Sequence, residues 1–453
     1  MTEFDVVVVG GGTGNNVAAA AADAGLETAL IEKGPLGGTC LNRGCNPSKM
    51  LVQRANVLNG VRDAGRFGVD ATVEGVDYAG MVDEISSTLS SAAENMEADY
   101  RDREHLTLYK EETRFVDERT LAVDGEEITG ERVVVAAGSR PSVPPIDGID
   151  EVEYLTSDEA LYLDEPPDSL VVLGGGYISV ELGYVFWSMG TDVAILERND
   201  TLVHREDGDV AETITDVARE RHDVYTGYSA TAVEDDEEGV TLHAESQAGD
   251  VALTADELLV ATGRRPNTDL LALDAVGIEL DERGFVDTNE YLETTAENVW
   301  AQGDIAGNSQ LKHAGDYETR HTVASVVHGE RRSIDLSVMP HVIFTEPQVA
   351  GVGATEEELA AEGREYVVGT ARYEDTAMGR AKKLDTGFAK AIATLDGEIL
   401  GCHVVGESAS TLVHEAVIAM QSAPGTVSDV AESIHAHPTL NKVVEAAFRD
   451  VPR

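Results

Sequence analysis

The sequence predicts an α/β protein in which two parallel-sheet units are followed by a region of α+β character. Two stretches have the order strand, Gly-rich turn, apolar helix, strand, and read FDVVVVGGGTGNNVAAAAADAGLETALIEK and SLVVLGGGYISVELGYVFWSMGTDVAILER. From residue 336 the pattern changes to short strands, as in PHVIFTEPQVAGVG and TGFAKAIATLDGEILGCHVVG, which predicts an antiparallel sheet with covering helices. Because 453 residues are too many for one hydrophobic core, we expect about three domains.

The first Gly-rich turn is typical of a dinucleotide site. Gly10 and Gly12 permit a tight turn and the close approach of a pyrophosphate to the N-terminus of the following helix. Glu32 ends the second strand, where a carboxylate can accept hydrogen bonds from ribose hydroxyls. The third glycine of this fingerprint is replaced by Asn15, which predicts slightly wider packing of the helix on the strand. Taken alone, such a turn can also be an ordinary connection.

The second turn repeats the pattern, with Gly174, Gly176 and Ser179 at the three fingerprint positions. Two such units in one chain indicate two Rossmann-like domains and two bound dinucleotides. The short segments 136–141 (AAGSRP) and 261–267 (ATGRRPN) each follow an apolar strand. We predict that they are matching crossings between domains.

The composition is strongly acidic. The chain has 33 Lys and Arg residues against 84 Asp and Glu residues, a net charge of −51. Since the acids are spread along the chain, they predict a carboxylate surface that stays hydrated in a cytoplasm of high salt. Their one dense cluster, at residues 234–238, predicts a solvated hairpin tip. Nucleic acid is not expected as a partner, because there is no basic face to neutralise phosphates.

The N-terminus, the apolar runs and the cysteine content of the sequence indicate the cellular compartment of the protein. The N-terminus begins almost at once with a strand, without a basic or apolar leader. No apolar run approaches the roughly 18 residues of a membrane span. We therefore expect a cytoplasmic protein without a membrane partner. Three cysteines in so large a chain form no disulfide scaffold, so a Cys pair is expected to be catalytic or metal-binding.

The motif GGTCLNRGCNPSKM contains that pair. Cys40 and Cys45 are five positions apart, which in an ideal helix separates their Cα atoms by roughly 8–9 Å, whereas a disulfide needs less than about 7 Å. A bridge therefore predicts a distorted first turn, which Gly44 and Pro47 would allow, and a strained, easily reduced bond. Zinc would need four ligands, and the sequence has no second Cys or His cluster of suitable spacing. Cys402, in a predicted strand, is interpreted as a core residue.

The motif GGTCLNRGCNPSK resembles that of the pyridine nucleotide-disulfide oxidoreductases, the class I family of glutathione reductase, dihydrolipoamide dehydrogenase and mercuric reductase. The resemblance covers essentially the whole chain in order, with both Gly-rich units, ATGRRPN, the AQGD segment and a terminal HPT. It implies two Rossmann-like dinucleotide-binding domains plus an α+β dimerisation domain. The implied FAD-binding domain has two parts, 1–146 and 266–335, with an NAD(P)-binding domain at 147–265 and the dimerisation domain at 336–453.

The resemblance also implies which residues hold FAD and NAD(P)H. Lys49 corresponds to the lysine beside the flavin ring, where a cation favours reduced flavin, and Glu181 to its ion-pair partner near the nicotinamide. Tyr177 corresponds to an aromatic lid of the nicotinamide pocket. Without the family, Lys49 and Glu181 read as surface charges on two helices. The implied FAD residues are Gly10, Gly12, Thr13, Gly14, Glu32, Lys33, Gly38, Thr39, Ala137, Gly138 and Asp304, and the implied NAD(P) residues are Gly174, Gly176, Tyr177, Ile178, Glu197, Arg198, His204 and Gly263.

By this resemblance, hydride passes from NAD(P)H to FAD and electrons then pass to the disulfide. Cys45 is expected to contact the flavin, and Cys40 to attack the substrate through a mixed disulfide. His437, in the HPT motif, is the implied acid–base residue. It is expected to reach the Cys pair from a second subunit, which makes the protein a homodimer. His435 is interpreted as a partly buried neighbour in the same turn.

One position departs from the family pattern. Family members have a Glu five residues after this histidine, where the present chain has Lys442. A lysine offers no acceptor to the imidazole N–H of His437. We expect Glu432, Glu445 or a backbone carbonyl to replace the missing acid, and the pH optimum of catalysis to shift.

The second unit carries mixed signals about the nicotinamide cofactor. Glu197 occupies the position that favours the ribose diol of NADH. Arg198, with His204 and Arg205 a few residues on, places cations where NADPH-dependent relatives bind the 2′-phosphate. The balance favours NADPH, with NADH as the other possibility.

The expected substrate is a low-molecular-weight disulfide such as bis-γ-glutamylcystine. The acidic composition is typical of salt-loving archaea, which use γ-glutamylcysteine as their small thiol. Arg320, on the helix after the GD segment, and Lys442 are candidate substrate cations, although Arg320 can equally be a solvated surface residue. An NAD-linked dihydrolipoamide dehydrogenase is the main alternative. A mercuric reductase-like enzyme, a non-catalytic flavoprotein and a docking subunit of a larger complex are less favoured, the first because a terminal Cys pair is absent from the sequence.

Overall fold

The computed structural model of the protein describes residues 2–236, 239–422 and 425–452. The N-terminal part is built around a strand that is buried on both faces, since Val6, Val7, Val8 and Val9 have almost no exposed surface. Its elements are β1 (Thr2–Val9), α1 (Gly14–Asp23), β2 (Thr28–Ile31), α2 (Gly38–Arg43), α3 (Cys45–Arg62), α4 (Tyr78–Arg101), β3 (Leu106–Tyr109), β4 (Thr113–Asp117), β5 (Thr120–Val123), β6 (Glu126–Val135) and β7 (Ser139–Pro141).

The middle part has a four-stranded parallel sheet of order β10-β9-β8-β14 and a three-stranded antiparallel sheet of order β11-β12-β13. Its elements are α5 (Ser157–Ala160), β8 (Ser169–Leu173), α6 (Tyr177–Met189), β9 (Asp192–Glu197), α7 (Gly208–Arg219), β10 (Asp223–Thr226), β11 (Ser229–Asp236), β12 (Gly239–Ser246), β13 (Gly249–Ala255), β14 (Glu257–Val260) and β15 (Arg264–Pro266). Glu237 and Glu238 of the predicted hairpin tip lie outside the described residues.

The chain then returns to the first sheet. The short strands β15 and β7 pair antiparallel where the two crossings were predicted. β16 (Val299–Ala301) pairs parallel with β6, and α8 (Lys312–Val326) follows it. The completed sheet has seven strands, in the order β3-β2-β1-β6-β5-β4 with β16 beside β6. Residues far apart in the sequence therefore meet at the carboxyl ends of β1 and β16, where ligands of parallel sheets bind.

The C-terminal part is a five-stranded antiparallel sheet of order β17-β18-β21-β20-β19 with helices over it. Cys402 is fully buried in the central strand, where burial raises the pKa of its thiol to about 12. The elements are β17 (His341–Ile343), β18 (Val349–Gly353), α9 (Glu356–Ala361), β19 (Val367–Arg372), α10 (Ala377–Lys382), β20 (Phe388–Ala393), β21 (Ile399–Val405), α11 (Ala409–Leu412), α12 (His414–Gln421), α13 (Val427–Ala431) and α14 (Lys442–Asp450).

The predicted fold class is confirmed, with two parallel-sheet units and an antiparallel C-terminal sheet. The predicted domain boundaries at 146, 265 and 335 stay predictions. Within the described residues, no helix is both long enough and apolar enough to cross a membrane.

Candidate active site

The two cysteines lie on either side of a break between helices. Cys40 is in α2, Cys45 begins α3, and Gly44 between them has φ −149° and ψ −117°, outside the helical region. A Cβ at position 44 would lie 2.9 Å from the carbonyl oxygen of Thr39, so a glycine is favoured there. Pro47 lies in the first turn of α3, where an absent N–H breaks no helical hydrogen bond. The distortion that the Cys spacing predicts is therefore located at Gly44.

Cys40 and Cys45 are not bridged in this structure, and each shifts the pKa of the other. A hydrogen bond from Cys40 lowers the pKa of Cys45 to about 6, burial opposes this shift, and the positive charge of Lys49 adds to it. The same hydrogen bond, with burial and the charge of Cys45, raises the pKa of Cys40. Near neutral pH the pair therefore holds one thiolate, on Cys45, and one proton, on Cys40.

An ion pair between two helices lies beside Cys45. Lys49 of α3 donates to the carboxylate of Glu181 of α6 at 2.6 Å, and the lysine is about one third exposed whereas the glutamate is 9 % exposed. Phe344 fixes the pair from the C-terminal part, because its N–H donates to Glu181 at 2.8 Å and its ring lies 5.0 Å from the Lys49 ammonium. The two charges that the sequence places on separate helices are thus one unit. Phe344 was missed, since nothing in its local sequence marks it.

A cavity of about 1490 Å³ connects the Cys pair, the ion pair and the first Gly-rich turn. It exceeds the roughly 300–1,000 Å³ of a pocket for one drug-sized ligand, so it has room for more than one bound group. The predicted site residues that line it are Gly12, Thr13, Thr39, Cys40, Cys45, Lys49, Gly138, Tyr177, Ile178, Glu181, Asp304 and Arg320. The predicted residues outside its lining are Gly10, Gly14, Glu32, Lys33, Gly38, Ala137, Gly174, Gly176, Glu197, Arg198, His204, Gly263, His437 and Lys442.

The first Gly-rich turn fits an FAD-sized dinucleotide. Gly10 has φ 109°, and a Cβ there would collide with the carbonyl group of Ala136. A Cβ on Gly38 would lie 2.6 Å from the Cα of Gly12, so the turn and the start of α2 touch through bare backbone. Glu32 accepts N–H groups of the turn on one side and of the following loop on the other, at 2.6 and 2.7 Å. The N-terminus of α1 follows this turn, and the first N–H groups of a helix can face a pyrophosphate.

The close packing of α1 on β1 depends on Gly14 and not on position 15. A Cβ at Gly14 would lie 2.8 Å from the Cγ1 of Val8. Asn15 is buried, and its amide group contacts the sulfur of Met96 in α4 at 3.2 Å. The packing contact therefore lies one residue earlier than the fingerprint predicts.

Asp304 and its neighbours Ser139 and Arg264 form a polar group after β16, close to the first Gly-rich turn. Asp304 accepts from the hydroxyl of Ser139 at 2.5 Å and lies 3.9 Å from the guanidinium of Arg264, which also donates twice to Ser139. Arg264 lines the cavity and was missed, although it directly follows the predicted Gly263. Glu318 of α8, fully buried, accepts the Gly303 N–H at 2.6 Å, and burial raises its pKa to about 7.

The second Gly-rich turn is built in the same way. Gly174 also has φ 109°, and a Cβ there would lie 2.6 Å from the carbonyl oxygen of Ala261. Glu197 is 6 % exposed and accepts the N–H groups of Gly175 and Asn199, at 2.6 and 2.8 Å. Arg198 and His204, the candidate 2′-phosphate cations, are both exposed.

The terminal histidine segment lies away from this chain's own cavity. His437 is exposed, and within the described part of the chain no side chain forms a hydrogen bond with its ring. Lys442 is paired with Glu445, which also binds Arg449 at 2.7 Å, so neither Lys442 nor Glu445 is held against His437. His435 is partly buried, as expected, and pairs with Glu415 at 2.8 Å.

Comparison with known proteins gives a consistent class. The family model described as pyridine nucleotide-disulphide oxidoreductase matches residues 4–329, and the model of its dimerisation domain matches residues 339–448. A mycothione reductase of Mycobacterium tuberculosis is 34 % identical over 99 % of this chain and 99 % of its own length. A dihydrolipoyl dehydrogenase of Halobacterium salinarum is 37 % identical over 98 % and 96 %, and a mercuric reductase of Staphylococcus aureus is 32 % identical over 98 % and 82 %.

Solved structures agree with these relatives. The flavoprotein disulfide reductase RclA from Escherichia coli, as its Cu(II) complex, superposes with a TM-score of 0.89 at 28 % identity over 99 % of both chains. Two dinucleotide turns around a redox dithiol define the flavoprotein disulfide reductases as a class. The chain belongs to the pyridine nucleotide-disulphide oxidoreductase family. It is an NAD(P)H-dependent FAD disulfide oxidoreductase, which confirms the expected family and cofactors, and its dimerisation domain supports a homodimer.

Proposed function

We propose that this enzyme uses NADPH to reduce a low-molecular-weight disulfide at Cys40 and Cys45. The observation that carries the proposal is the inequality of the two thiols. Cys45 is the anionic member, beside Lys49. Cys40 holds the proton and lies near Lys312 and Asp316, two charged residues that also line the cavity.

The two cysteines divide the reaction between them. Bound FAD supplies the transfer of two electrons between a nicotinamide and the Cys pair. Cys40, once deprotonated, attacks one sulfur of the substrate disulfide, forms a mixed disulfide and releases the first substrate thiolate. Cys45 then attacks the Cys40 sulfur, closes the Cys40–Cys45 disulfide and releases the second thiolate. The substrate gains two electrons from the pair and two protons, one from Cys40 and one from solvent.

Lys49, held by Glu181, places a positive charge beside Cys45. The Lys49 ammonium is fixed by Glu181 and by the Phe344 ring, so it stays beside the Cys45 thiolate. A fixed cation at this point stabilises negative charge on Cys45 without reorganisation during the reaction.

The Cys40 proton is assigned to His437 of a second subunit. Two large apolar side chains of the same C-terminal part, Ile418 and Ile434, are strongly exposed in the single chain. Exposed apolar side chains in a region matched as a dimerisation domain are expected to be covered by a partner. Lys442 does not orient this histidine, so its orientation must come from other groups of the dimer.

The choice of NADPH is supported by the exposure of the groups after β9. Both carboxylate oxygens of Glu197 are already hydrogen-bonded to backbone, and the side chain is buried. Glu32 of the first turn is held in the same way, so Glu197 does not by itself distinguish NADPH from NADH. Arg198, His204 and Arg205 are exposed basic side chains that can contact a 2′-phosphate.

The substrate is proposed to be an anionic disulfide such as bis-γ-glutamylcystine. Arg320 is an exposed cation at the edge of the cavity, with its guanidinium 5.4 Å from the Tyr317 ring. Next to it lies a second cavity of about 680 Å³, which Lys312, Arg320 and Arg332 line together with the acids Asp316 and Glu330. Lys312 pairs with Asp316 and Arg332 with Glu330, so Arg320 is the cation that we expect to meet a substrate carboxylate.

An NAD-linked dihydrolipoyl dehydrogenase is the second candidate. Dihydrolipoyl dehydrogenases of Haloarcula marismortui and Halobacterium salinarum are 34 % and 37 % identical to this chain. Glu197, at the position that favours NADH, is the feature of this chain that agrees with it.

Steady-state assays at high salt separate the two candidates. The holoenzyme is assayed with NADPH and with NADH against bis-γ-glutamylcystine, mycothione, glutathione disulfide and lipoamide. We expect the highest kcat/KM with NADPH and bis-γ-glutamylcystine, and a loss of this preference in Arg320→Ala. Turnover with lipoamide and NADH alone would overturn the proposed substrate.

A further inference from the structure

A row of basic side chains crosses one face of the C-terminal sheet. His341, Gly351, His403 and Lys390 are direct cross-strand neighbours on β17, β18, β21 and β20, so their side chains share a face. A Cβ on Gly351 would lie 2.6 Å from the His341 ring and 3.0 Å from the His403 ring, so the glycine makes room for both imidazoles. His403 is buried and donates to the carbonyl oxygen of Ala354 at 3.0 Å.

Two acids of the nicotinamide-side domain dock on this row. Asp207, at the start of α7, is fully buried and pairs with the buried Lys390 at 2.7 Å. Glu206, immediately before it, has a side chain that is 1 % exposed and accepts from the Nε2–H of His341 at 2.8 Å. Glu206 and Asp207 are adjacent in sequence, but their other contacts differ.

Glu206 reaches the cavity through Tyr177, whereas Asp207 does not. The second carboxylate oxygen of Glu206 accepts the hydroxyl of Tyr177, and the Tyr177 and His341 rings are stacked with centroids 6.3 Å apart. Tyr177 is the first residue of α6, directly after the second Gly-rich turn, and its ring forms part of the cavity wall with Ile178 and Glu181. Burial raises the pKa of Glu206, but hydrogen bonds from His341 and Tyr177 keep it below the usual range.

The loop that leads to Glu206 also contacts the second Gly-rich turn. The N–H of Val203 donates to the carbonyl oxygen of Gly175 at 2.7 Å, and Val203 has φ 44°, an unusual value for a β-branched residue. The loop from Arg198 to Glu206 is therefore fixed at one end to the turn and at the other to the C-terminal sheet.

We propose that Glu206 and His341 are positioning residues for nicotinamide binding, which hold the Tyr177 ring in the cavity wall. This rests on the assignment of Tyr177 to the nicotinamide pocket. His341 keeps Glu206 charged and oriented, and Glu206 fixes the Tyr177 hydroxyl. The C-terminal sheet thereby contributes to the affinity for the nicotinamide through His341.

The expected effect falls on binding. A hydrogen bond to a charged, buried acceptor is worth enough to change an equilibrium by about ten-fold or more. Once the bond is lost, the Tyr177 ring leaves its fixed position for part of the time. We therefore expect KM for the nicotinamide to rise about ten-fold, with kcat nearly unchanged.

The test uses Glu206→Gln, His341→Phe, Tyr177→Phe and the double variant Glu206→Gln/Tyr177→Phe, each with its FAD content verified by absorbance. Nicotinamide oxidation is measured with ferricyanide as electron acceptor, with whichever of NADPH and NADH the wild type oxidises faster. This readout involves no disulfide, so a wrong disulfide substrate leaves it unaffected. Each single variant is expected to raise KM, and the double variant to raise it no further than Tyr177→Phe alone.

Asp207→Asn is the matched control. It weakens the neighbouring contact with the same sheet, at Lys390, whereas the hydroxyl of Tyr177 donates to Glu206. We expect it to lower the melting temperature and leave KM unchanged. The proposal is overturned by an equal rise of KM in Asp207→Asn, by additive effects in the double variant, or by an unchanged KM in Glu206→Gln and Tyr177→Phe.

Discussion

The two Gly-rich turns of this enzyme are built alike. Gly10 and Gly174 share φ 109°, and each lies against the carbonyl group of an alanine that follows a neighbouring strand. Glu32 and Glu197 each accept backbone N–H groups on both carboxylate oxygens, one of them from the turn itself. Local sequence of the same kind thus produces the same cradle for a pyrophosphate.

The two turns differ in the segment that comes after the acid. After Glu32 the chain runs into α2 and α3, which carry the cysteine pair. After Glu197 it runs into a loop whose Arg198, His204 and Arg205 side chains are exposed, and which ends at Glu206, in contact with His341 of the C-terminal sheet. The fingerprint therefore specifies the cradle, and the residues beyond the acid decide which chemistry is done there.

The largest effect is expected from replacing Cys40, which lies in the segment after the first turn. Cys40→Ser cannot form the mixed disulfide, so disulfide turnover should fall by about 10³-fold or more. Oxidation of NADPH with ferricyanide should stay near the wild-type rate, because the nicotinamide side is untouched. Cys402→Ala, at the buried cysteine, is the control and should retain disulfide turnover. Substantial disulfide turnover in Cys40→Ser would contradict the assigned role.

Alanine substitutions at Gly10 and Gly174 should affect the binding of two different cofactors. A Cβ at Gly10 or Gly174 meets a backbone carbonyl at a φ that side chains rarely adopt. Gly10→Ala is expected to lose FAD during purification, and Gly174→Ala to retain FAD but raise KM for NADPH. FAD absorbance per chain and steady-state kinetics measure the two effects. If both variants lost FAD equally, the separate assignment of the turns would be wrong.

A smaller effect is expected at the loop after Glu197. Arg198→Ala should lower kcat/KM for NADPH by roughly ten-fold or more, because a charged hydrogen bond to the 2′-phosphate is lost. The value for NADH should hardly change, since NADH lacks this phosphate. Arg219→Ala, an exposed arginine of α7 in the same domain, serves as control. Equal losses for both nicotinamides would show that Arg198 does not read the 2′-phosphate.

The smallest effect concerns Glu318, which has no counterpart beside the second turn in the described structure. Its pKa is raised from 4.5 to about 7 by burial, so the folded protein binds its proton more tightly than the unfolded chain. This contribution to stability is full below about pH 4.5 and is lost as pH rises through about 7. Glu318→Gln should therefore weaken the fall of melting temperature between pH 5 and pH 8. An unchanged slope would contradict the assignment.

Local sequence was sufficient for the parts of the site that a single segment builds. The spacing of Cys40 and Cys45 required a break, and Gly44 provides it. The two turns and their terminal acids are equally local.

Contacts between distant segments could not be predicted in this way. Phe344 and His341 follow an ordinary strand pattern, and they become part of the site only because β17 packs against α6 and the loop before α7. The burial that raises the pKa of Glu318 likewise depends on α8 lying under the turn at Gly303. The side-chain direction of Asn15 was set by α4, which the sequence of the turn does not contain.

Anaerobic titration of the holoenzyme with NADPH tests most directly whether the Cys pair receives electrons from the nicotinamide proposed to bind at the second Gly-rich turn. The pKa of Cys45 is lowered to about 6, so its thiolate should be present at neutral pH in the reduced enzyme. We predict a long-wavelength charge-transfer absorption band after one equivalent of NADPH, and its disappearance in Cys45→Ser. Reduction of the flavin without such a band in the wild type, or a band that persists in Cys45→Ser, would contradict the account.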